Sequence, residues 1–264
     1  MELRAKDHWD TVDFISDLHL QAQEPQTFEA LQSYLQSSPA QALFILGDLF
    51  EVWVGDDCLT QACGFEAQVA ELLKQASQKI DIYILCGNRD FLMGSECMKA
   101  CGATHMEDPT VLQTPNARWL LTHGDALCLS DTAYLDFRRM VRSPEWQHDF
   151  LQKPLEQRQS IGREMRMQSE AQKKTKMGGL ADVDTTAALD LLKEHQADHM
   201  VHGHTHRPAH HALDATHSRW VLSDWDLSAA PQRAEVLRLT LSQQANAKAI
   251  QPTRVTLAAS IKNV

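Results

Sequence analysis

The chain has 264 residues, 43% of them hydrophobic, and a formal net charge of −10 at pH 7. The acidic balance disfavours a protein that grips a nucleic-acid backbone through a wide basic surface. There is no apolar run of about 18 residues that could cross a membrane, and the start of the chain lacks the apolar stretch of a secretory signal. We therefore expect a cytoplasmic protein with one main domain, and free thiols at its six cysteines, which show no CxxC spacing.

Short apolar runs typical of buried strands recur along the chain, and five of them lead into residues that can bind a metal. These runs lie at 12–16, 42–46, 80–86, 119–122 and 199–201. Because ligands gather where the carboxyl ends of such strands emerge, we expect the residues that follow to meet at one sheet edge. Asp17 and His19 are two positions apart, and so are His204 and His206. An extended backbone would place both members of each pair on one face, where they can chelate a metal ion. The seven candidate ligands are Asp17, His19, Asp48, Asn88, His123, His204 and His206.

Helical patterns alternate with these strands. They are predicted near 27–36, 65–78, 91–101, 132–142 and 185–195. Two later apolar runs, 220–222 and 234–241, are predicted to be strands that close a second sheet. The tail from 243 to 264 has no candidate site residue, and its run 254–261 fits either an extra strand or an ordered arm.

The donor types indicate the chemistry of the site. Asp, Asn and His without thiolate suit Mn²⁺, Fe or Zn²⁺ better than a structural Cys-rich zinc site does. A carboxylate such as Asp48 can bridge two cations, and two ions roughly 3.5–4 Å apart stabilise the attacking and leaving oxygens of a displacement at phosphorus. We expect two divalent ions per chain, with Mn²⁺ as the first expectation, and hydrolysis of a phosphoester or pyrophosphate.

Five motifs, in this order and spacing, resemble those of the calcineurin-like metallophosphoesterases. They are Asp17-Leu18-His19, Gly47-Asp48, Gly87-Asn88-Arg89-Asp90, His123-Gly124-Asp125 and Gly203-His204-Thr205-His206. The stretches 45–51, 87–92 and 202–208 are similar to the branch of that family that hydrolyses UDP-2,3-diacylglucosamine in lipid A synthesis. The resemblance implies an α/β fold of two mixed β-sheets flanked by helices. It also implies a metallophosphoesterase domain over 1–242, with a helical cap insertion at about 131–180, and a C-terminal extension over 243–264.

The resemblance implies a role for each site residue. One ion would take Asp17, His19, Asp48 and His206, and the other would take Asp48, Asn88, His123 and His204, so that Asp48 bridges. Water would attack the α-phosphorus of the UDP-sugar and release UMP and 2,3-diacylglucosamine 1-phosphate. The implied catalytic residues are Asp48, Asn88, Arg89 and His123. The implied substrate contacts are Asn88, Arg89, Asp131, Ser169, Lys173, Lys176 and His204.

Three nearby polar residues are given other roles. Asp90 and Asp125 are expected to orient ligands through hydrogen bonds rather than to bind metal. Arg89 stands where many relatives have a His that protonates an alcohol leaving group, and a guanidinium is a poor proton donor. A leaving group that needs little protonation is therefore expected, such as a sugar phosphate, whose second pKa is about 6. The planar fork of Arg89 suits phosphate oxygens.

The stretch from Arg138 to Lys176 is a basic island, with ten Lys or Arg against five Asp or Glu. Apolar residues recur in it at helical spacing, including Trp146, Phe150 and Leu151. Helices with one apolar and one basic face fit an amphiphilic anion, and by the resemblance they form a cap that receives acyl chains. We expect peripheral contact with the cytoplasmic face of the inner membrane. The alternative is that the stripes are ordinary core packing and the basic faces are merely solvated.

Two other functions stay open from the sequence. A different dinuclear phosphoesterase, acting on nucleotides or soluble phosphodiesters, would keep the metals without needing an apolar cap. A non-catalytic scaffold would keep the fold after losing its metals, and the complete ligand set argues against it.

Overall fold

The computed structural model describes residues 1–61, 64–175, 181–241 and 251–257, with the backbone alone over 170–175. Lys176 and the side chain of Lys173 lie outside this description.

The strands are β1 (Glu2–Arg4), β2 (Thr11–Ile15), β3 (Ala42–Leu46), β4 (Asp81–Leu85), β5 (Thr104–His105), β6 (Thr110–Gln113), β7 (Arg118–Thr122), β8 (His199–His202), β9 (Ala209–Ala212), β10 (Ser218–Val221), β11 (Glu235–Thr240) and β12 (Thr253–Thr256). The helices are α1 (Pro25–Ser37), α2 (Phe65–Ala76), α3 (Ser95–Cys101), α4 (Thr132–Val141), α5 (Pro144–Leu151), α6 (Leu155–Thr175) and α7 (Thr185–Glu194).

Within these residues the strands form two mixed six-stranded sheets. One has the order β1-β6-β7-β8-β10-β9 and the other β12-β11-β2-β3-β4-β5. The five ligand-bearing strands are confirmed as β2, β3, β4, β7 and β8, but the first three belong to one sheet and the last two to the other. The single sheet edge that we expected is therefore two edges brought together.

Side chains on alternate positions of β3 show how the layers form. Phe44 packs between the two sheets, with Trp119 and Trp220 on the opposite side. Leu43 and Ile45 face the other way, against helices α1 to α3. This alternation is the period of two expected of a strand buried on both faces. On the outer face of the other sheet, α7 packs against β7 and β8, so the layers run helix, sheet, sheet, helix, as the fold class predicted.

The two late strands lie in different sheets, which corrects the expectation that they close a second sheet together. Strand β10 pairs with β8 and β9, whereas β11 pairs antiparallel with β2. Apolar runs report burial and do not say which neighbour is paired, so this could not be read from the pattern. In the tail, β12 pairs antiparallel with β11, so the described part of the tail is an extra strand. The short strands β1, β5, β6 and β9 were not predicted.

Helices α4, α5 and α6 lie between β7 and β8 in the chain, and we call them the cap. Asp131 and Ser143 cap the first two helices by accepting hydrogen bonds from the backbone N–H of Tyr134 and Trp146. Helix α6 lies directly on the loop after β3, where a Cβ on Gly162 would come within 2.9 Å of a methyl group of Val52. Among the described helices none is both long and apolar enough to span a membrane.

Candidate active site

The backbone turns sharply at most of the predicted ligands. Five of them (Asp17, His19, Asp48, His204 and His206) have positive φ angles, between 49° and 66°. Elsewhere in the described residues only Gln196 shares this conformation among the non-glycine residues. The extended backbone expected over both ligand pairs is therefore wrong. Left-handed backbone costs free energy for a residue with a side chain and clusters at functional sites, where the surrounding fold enforces it.

Close approach of two loops explains the glycines in two motifs. A Cβ on Gly47 would lie 2.6 Å from the Cα of Gly87 and 2.6 Å from Nδ1 of His123. Gly47 also has a φ of 89°, which favours glycine. The loops after β3 and β4 can therefore approach each other and the His123 ring only if position 47 has no side chain.

A first group of donors consists of Asp17, His19 and His206, whose ligand atoms all lie within 4.8 Å of one another. His206 Nε2 is 3.3 Å from Asp17 Oδ1. His19 Nε2 is 3.4 Å from His206 Nε2. These residues follow β2 and β8, so the group spans the two sheets.

A second group consists of Asp17, Asp48 and His123. His123 Nε2 lies 3.0 Å from Asn88 Oδ1 and 3.7 Å from Asp48 Oδ2. The His204 ring stands with its centroid 5.1 Å from that of His123. The structure thus brings all seven predicted ligands together. Asp17 belongs to both groups, and the bridging role of Asp48 stays a prediction.

The second ring nitrogen of three histidines is held from outside the centre. His19 Nδ1 is 3.0 Å from Glu51 Oε2, and His206 Nδ1 is 3.5 Å from Asp224 Oδ2. His123 Nδ1 is 2.9 Å from the carbonyl oxygen of Leu46. Such partners set the tautomer and leave Nε2 facing the centre, which is the usual arrangement of metal-binding histidines.

Glu51 and Asp224 were missed as partners of the ligands. Asp224 follows the predicted strand 220–222 at a short distance, just as the ligands follow their strands, so the same signal could have found it. Glu51 lies in an irregular loop beyond Asp48. The family-like stretch 45–51 ends on it, but nothing in that stretch indicates a contact with His19.

Burial and the neighbouring carboxylates and imidazoles together shift the pKa values of the residues at the centre. No thiol belongs to either of the two described donor groups. Burial alone would raise the pKa of Asp17, but His206, His123 and His19 hold it well below its usual range. Burial alone would lower the pKa of His206 and His123, yet the neighbouring carboxylates raise these to about 10 and about 9. For His204 burial prevails, and the neighbouring His123 adds to it, so that its pKa falls to about 4. Carboxylate, amide and imidazole donors concentrated in this way fit two divalent cations.

The two predicted orienting carboxylates behave differently. Asp90 is buried and accepts hydrogen bonds from the backbone N–H of Gly87 and Leu49 at 2.7 Å and of Asp48 at 3.3 Å. It holds two ligand loops together, which confirms its expected role. Asp125 instead accepts from Tyr134 Oη at 2.5 Å and Arg138 Nε at 2.7 Å. Its described hydrogen bonds therefore tie the cap to the ligand loop rather than orient His123.

A cavity of about 300 Å³ lies between the ligand loops and the cap. Its lining includes all the predicted substrate-contacting residues whose side chains are described: Asn88, Arg89, Asp131, Ser169 and His204. The walls away from the ligands are mainly apolar and are formed by Val52, Trp53, Val54, Phe91, Leu92, Phe137, Val141, Trp146, Phe150 and Met165. Tyr134 also lines the cavity and was not predicted; its ring stacks on His204, with 5.9 Å between centroids.

The apolar trio expected in the cap is only partly in place. Trp146 and Phe150 stack with 4.7 Å between ring centroids and line the cavity. Leu151 is 44% exposed and is not among the lining residues. The helix turns it outward, one position beyond the face that Trp146 and Phe150 share at i and i+4.

Four basic residues of the cap contact groups inside the protein, so they do not belong to the separate basic face expected of the cap helices. Arg138 binds Asp125, and Arg142 donates to the carbonyl oxygen of Gly87 at 2.9 Å. Arg158 is buried and binds the Asp57 carboxylate, and Arg166 binds Glu51. These guanidinium groups fasten the cap to the loops around the centre. Arg139 and Arg163 are exposed.

Comparison with known proteins agrees with this site. Residues 11–208 match the family model of the calcineurin-like phosphoesterases. A UDP-2,3-diacylglucosamine hydrolase of Bordetella pertussis is 43% identical over 216 residues, which cover 80% of this chain and 84% of that protein. One of Aromatoleum aromaticum is 44% identical over 218 residues, covering 80% and 88% of the two chains. With its five motifs, its ligand centre and this match, the chain belongs to the calcineurin-like phosphoesterase family.

Proposed function

We propose that this protein hydrolyses the pyrophosphate bond of UDP-2,3-diacylglucosamine, giving UMP and 2,3-diacylglucosamine 1-phosphate (lipid X) for lipid A synthesis. The cavity carries the proposal: one wall holds the candidate ligands Asn88 and His204 together with Arg89, and the other walls are mainly apolar. A pocket with these two ends suits a phosphate ester joined to acyl chains. Relatives at 43% and 44% identity bear the name of this hydrolase, which supports the same substrate.

The ligand centre would hold two divalent ions, for which we propose Mn²⁺. One would take Asp17, His19, Asp48 and His206, and the other would take Asp48, Asn88, His123 and His204. When bound, such ions lower the pKa of water and neutralise charge on phosphate oxygens. The chain's own contribution is orientation, because Glu51, Asp224 and the Leu46 carbonyl aim three imidazoles at the centre.

Arg89 is proposed to bind the phosphate oxygens. Its side chain lines the cavity and is 10% exposed, and Nε lies 3.9 Å from Asp48 Oδ2. Among the described residues that Nε has no hydrogen-bond partner. A buried guanidinium with a donor to spare is ready to receive an anion.

The remaining polar contacts are proposed at the rim of the cavity, where Asp131 and Ser169 lie. Lys173 and Lys176 follow on and just beyond helix α6, and we propose that they contact the substrate phosphates. The apolar walls would take the acyl chains. We propose that residues 1–242 form one catalytic domain, with its cap at about 131–180, and that 243–264 form an extension.

We also propose that the protein sits on the cytoplasmic face of the inner membrane without crossing it. Large apolar side chains are exposed on the cap and on the segment that leads into it. Together with the exposed Arg139 and Arg163 they suit an interfacial surface. These side chains are Leu129, Phe137, Met140, Leu151 and Met167.

One assay tests the function directly. Purified protein with UDP-2,3-diacylglucosamine should release UMP in the presence of Mn²⁺ and not after chelation. A soluble aryl phosphate turned over faster than the lipid substrate would favour a different phosphoesterase. Absence of bound metal after incubation with Mn²⁺ would favour a non-catalytic scaffold.

A further inference from the structure

The Glu51 carboxylate lies between a metal ligand and the cap, with one oxygen for each. Oε2 is 3.0 Å from Nδ1 of His19, and Oε1 accepts from Nε of Arg166 in helix α6. Side-chain exposure is only 13% for Glu51, 17% for His19 and 24% for Arg166. Contacts between a carboxylate and basic side chains are stronger in such a partly dry place than at an exposed surface.

Each oxygen of the largely buried Glu51 carboxylate has a different partner, His19 for one and Arg166 for the other. Loss of either partner would leave a buried carboxylate incompletely paired, which is costly. The positions of the two partners are therefore energetically linked through one group.

Helix α6 is in turn seated on the same loop by other contacts. Gly162 lies against Val52, and Arg158 binds Asp57. Four residues of α6 besides Arg166 line the cavity, namely Gly162, Met165, Gln168 and Ser169. A ligand in the cavity therefore touches the helix that holds Glu51.

We propose that Glu51 is a positioning residue that couples the cap to the metal centre. Glu51 orients the His19 ring for metal binding. Arg166 holds the Glu51 carboxylate in the position from which it contacts His19. The inference rests on the proposed role of His19 as a ligand. By linkage, a ligand that holds Arg166 against Glu51 should tighten metal binding, and bound metal should tighten ligand binding to the same extent.

The test measures Mn²⁺ dissociation constants by titration calorimetry for the wild type, Glu51→Gln, Arg166→Met and the double variant. A Gln amide can accept from only one of the two donors, so Glu51→Gln should weaken Mn²⁺ binding about tenfold, as loss of an outer partner of a ligating His typically does. Arg166→Met should weaken it about threefold, because it removes the group that holds Glu51 in place. The double variant should match Glu51→Gln, because the Arg166 effect passes through Glu51.

Two variants serve as matched controls. Arg163→Met changes an exposed guanidinium on the same helix, and Asp57→Asn removes the other ion pair that anchors α6. Both should bind Mn²⁺ like the wild type. Thermal melting followed by circular dichroism checks that each variant is folded.

Wild-type Mn²⁺ affinity in Arg166→Met would overturn the coupling, and so would fully additive losses in the double variant. Equal weakening by Asp57→Asn and Arg166→Met would show that α6 merely holds the loop, which also overturns it. Failure of the wild type itself to bind Mn²⁺ would instead refute the proposed metal centre.

Discussion

His19 Nε2 lies 3.4 Å from His206 Nε2, although the two residues are 187 positions apart in the chain. Their outward nitrogens face Glu51 and Asp224, and the Asp17 carboxylate lies between the two rings and the rest of the centre. Two imidazole nitrogens directed at each other beside a carboxylate form a site for a cation. Without one, a proton can satisfy the same geometry.

This competition predicts that metal binding strengthens as pH rises. The pKa values of His206 and His123 are raised to about 10 and about 9, so both are protonated at pH 7 and must lose a proton to bind metal. His204, with a pKa of about 4, is already neutral. Between pH 6.5 and 8.5, each proton released should lower the Mn²⁺ dissociation constant about tenfold per pH unit. Calorimetry in buffers of different ionisation enthalpy should detect about two protons released per chain; a pH-independent affinity would contradict the assignment.

The proposed bridge predicts a ranking of two variants. Asp48→Ala removes a ligand of both ions and His206→Ala removes a ligand of one, so Asp48→Ala should bind less metal and lose all detectable UMP release. Metal analysis after dialysis against Mn²⁺ gives the ranking. Near-normal turnover of Asp48→Ala at saturating Mn²⁺ would refute the two-metal assignment.

Arg89 should affect turnover without affecting metal content. Loss of one preorganised donor to developing charge costs roughly 3 kcal/mol, or about a hundredfold in rate. Arg89→Ala should therefore lower kcat about a hundredfold and keep its metal. Arg89→Lys should recover only part of the rate, because an ammonium lacks the planar fork. Loss of metal from Arg89→Ala would assign the side chain a structural role instead.

The cavity wall should distinguish substrates. Trp146 lines the cavity and Leu151 does not, so Trp146→Ala should raise KM for the diacylated substrate, whereas Leu151→Ala should leave it near the wild-type value. Neither change should slow hydrolysis of a small soluble phosphodiester. Apolar burial is worth about 0.8 kcal/mol per methylene, so shorter acyl chains should also raise KM in the wild type. Equal losses of Trp146→Ala on both substrates would mean that this ring only supports the fold.

The candidate ligands could be picked out from the sequence because the pattern that marks them depends on local order. A strand buried on both faces has to be apolar, and the polar residue that ends it stands out, as Asp48 does after β3 and His123 after β7. Ligand chemistry then follows from side-chain type. The same reasoning located the cap, since a basic helical stretch interrupts the strand pattern between β7 and β8.

Tertiary structure alone decided which distant groups meet. Apolar periodicity indicates which residues are buried but does not identify their partners. It therefore could not show that β10 and β11 lie in different sheets, or that Leu151 points outward. The pairing of Glu51 with both His19 and Arg166, and of His206 with Asp224, depends on distances between chain segments that sequence order does not encode. For the same reason the sequence could not show that four cap arginines pair with groups of the loops. In the folded chain, burial against the loops makes carboxylates and carbonyls their nearest acceptors, and the desolvated charge is stable only when it is paired with them.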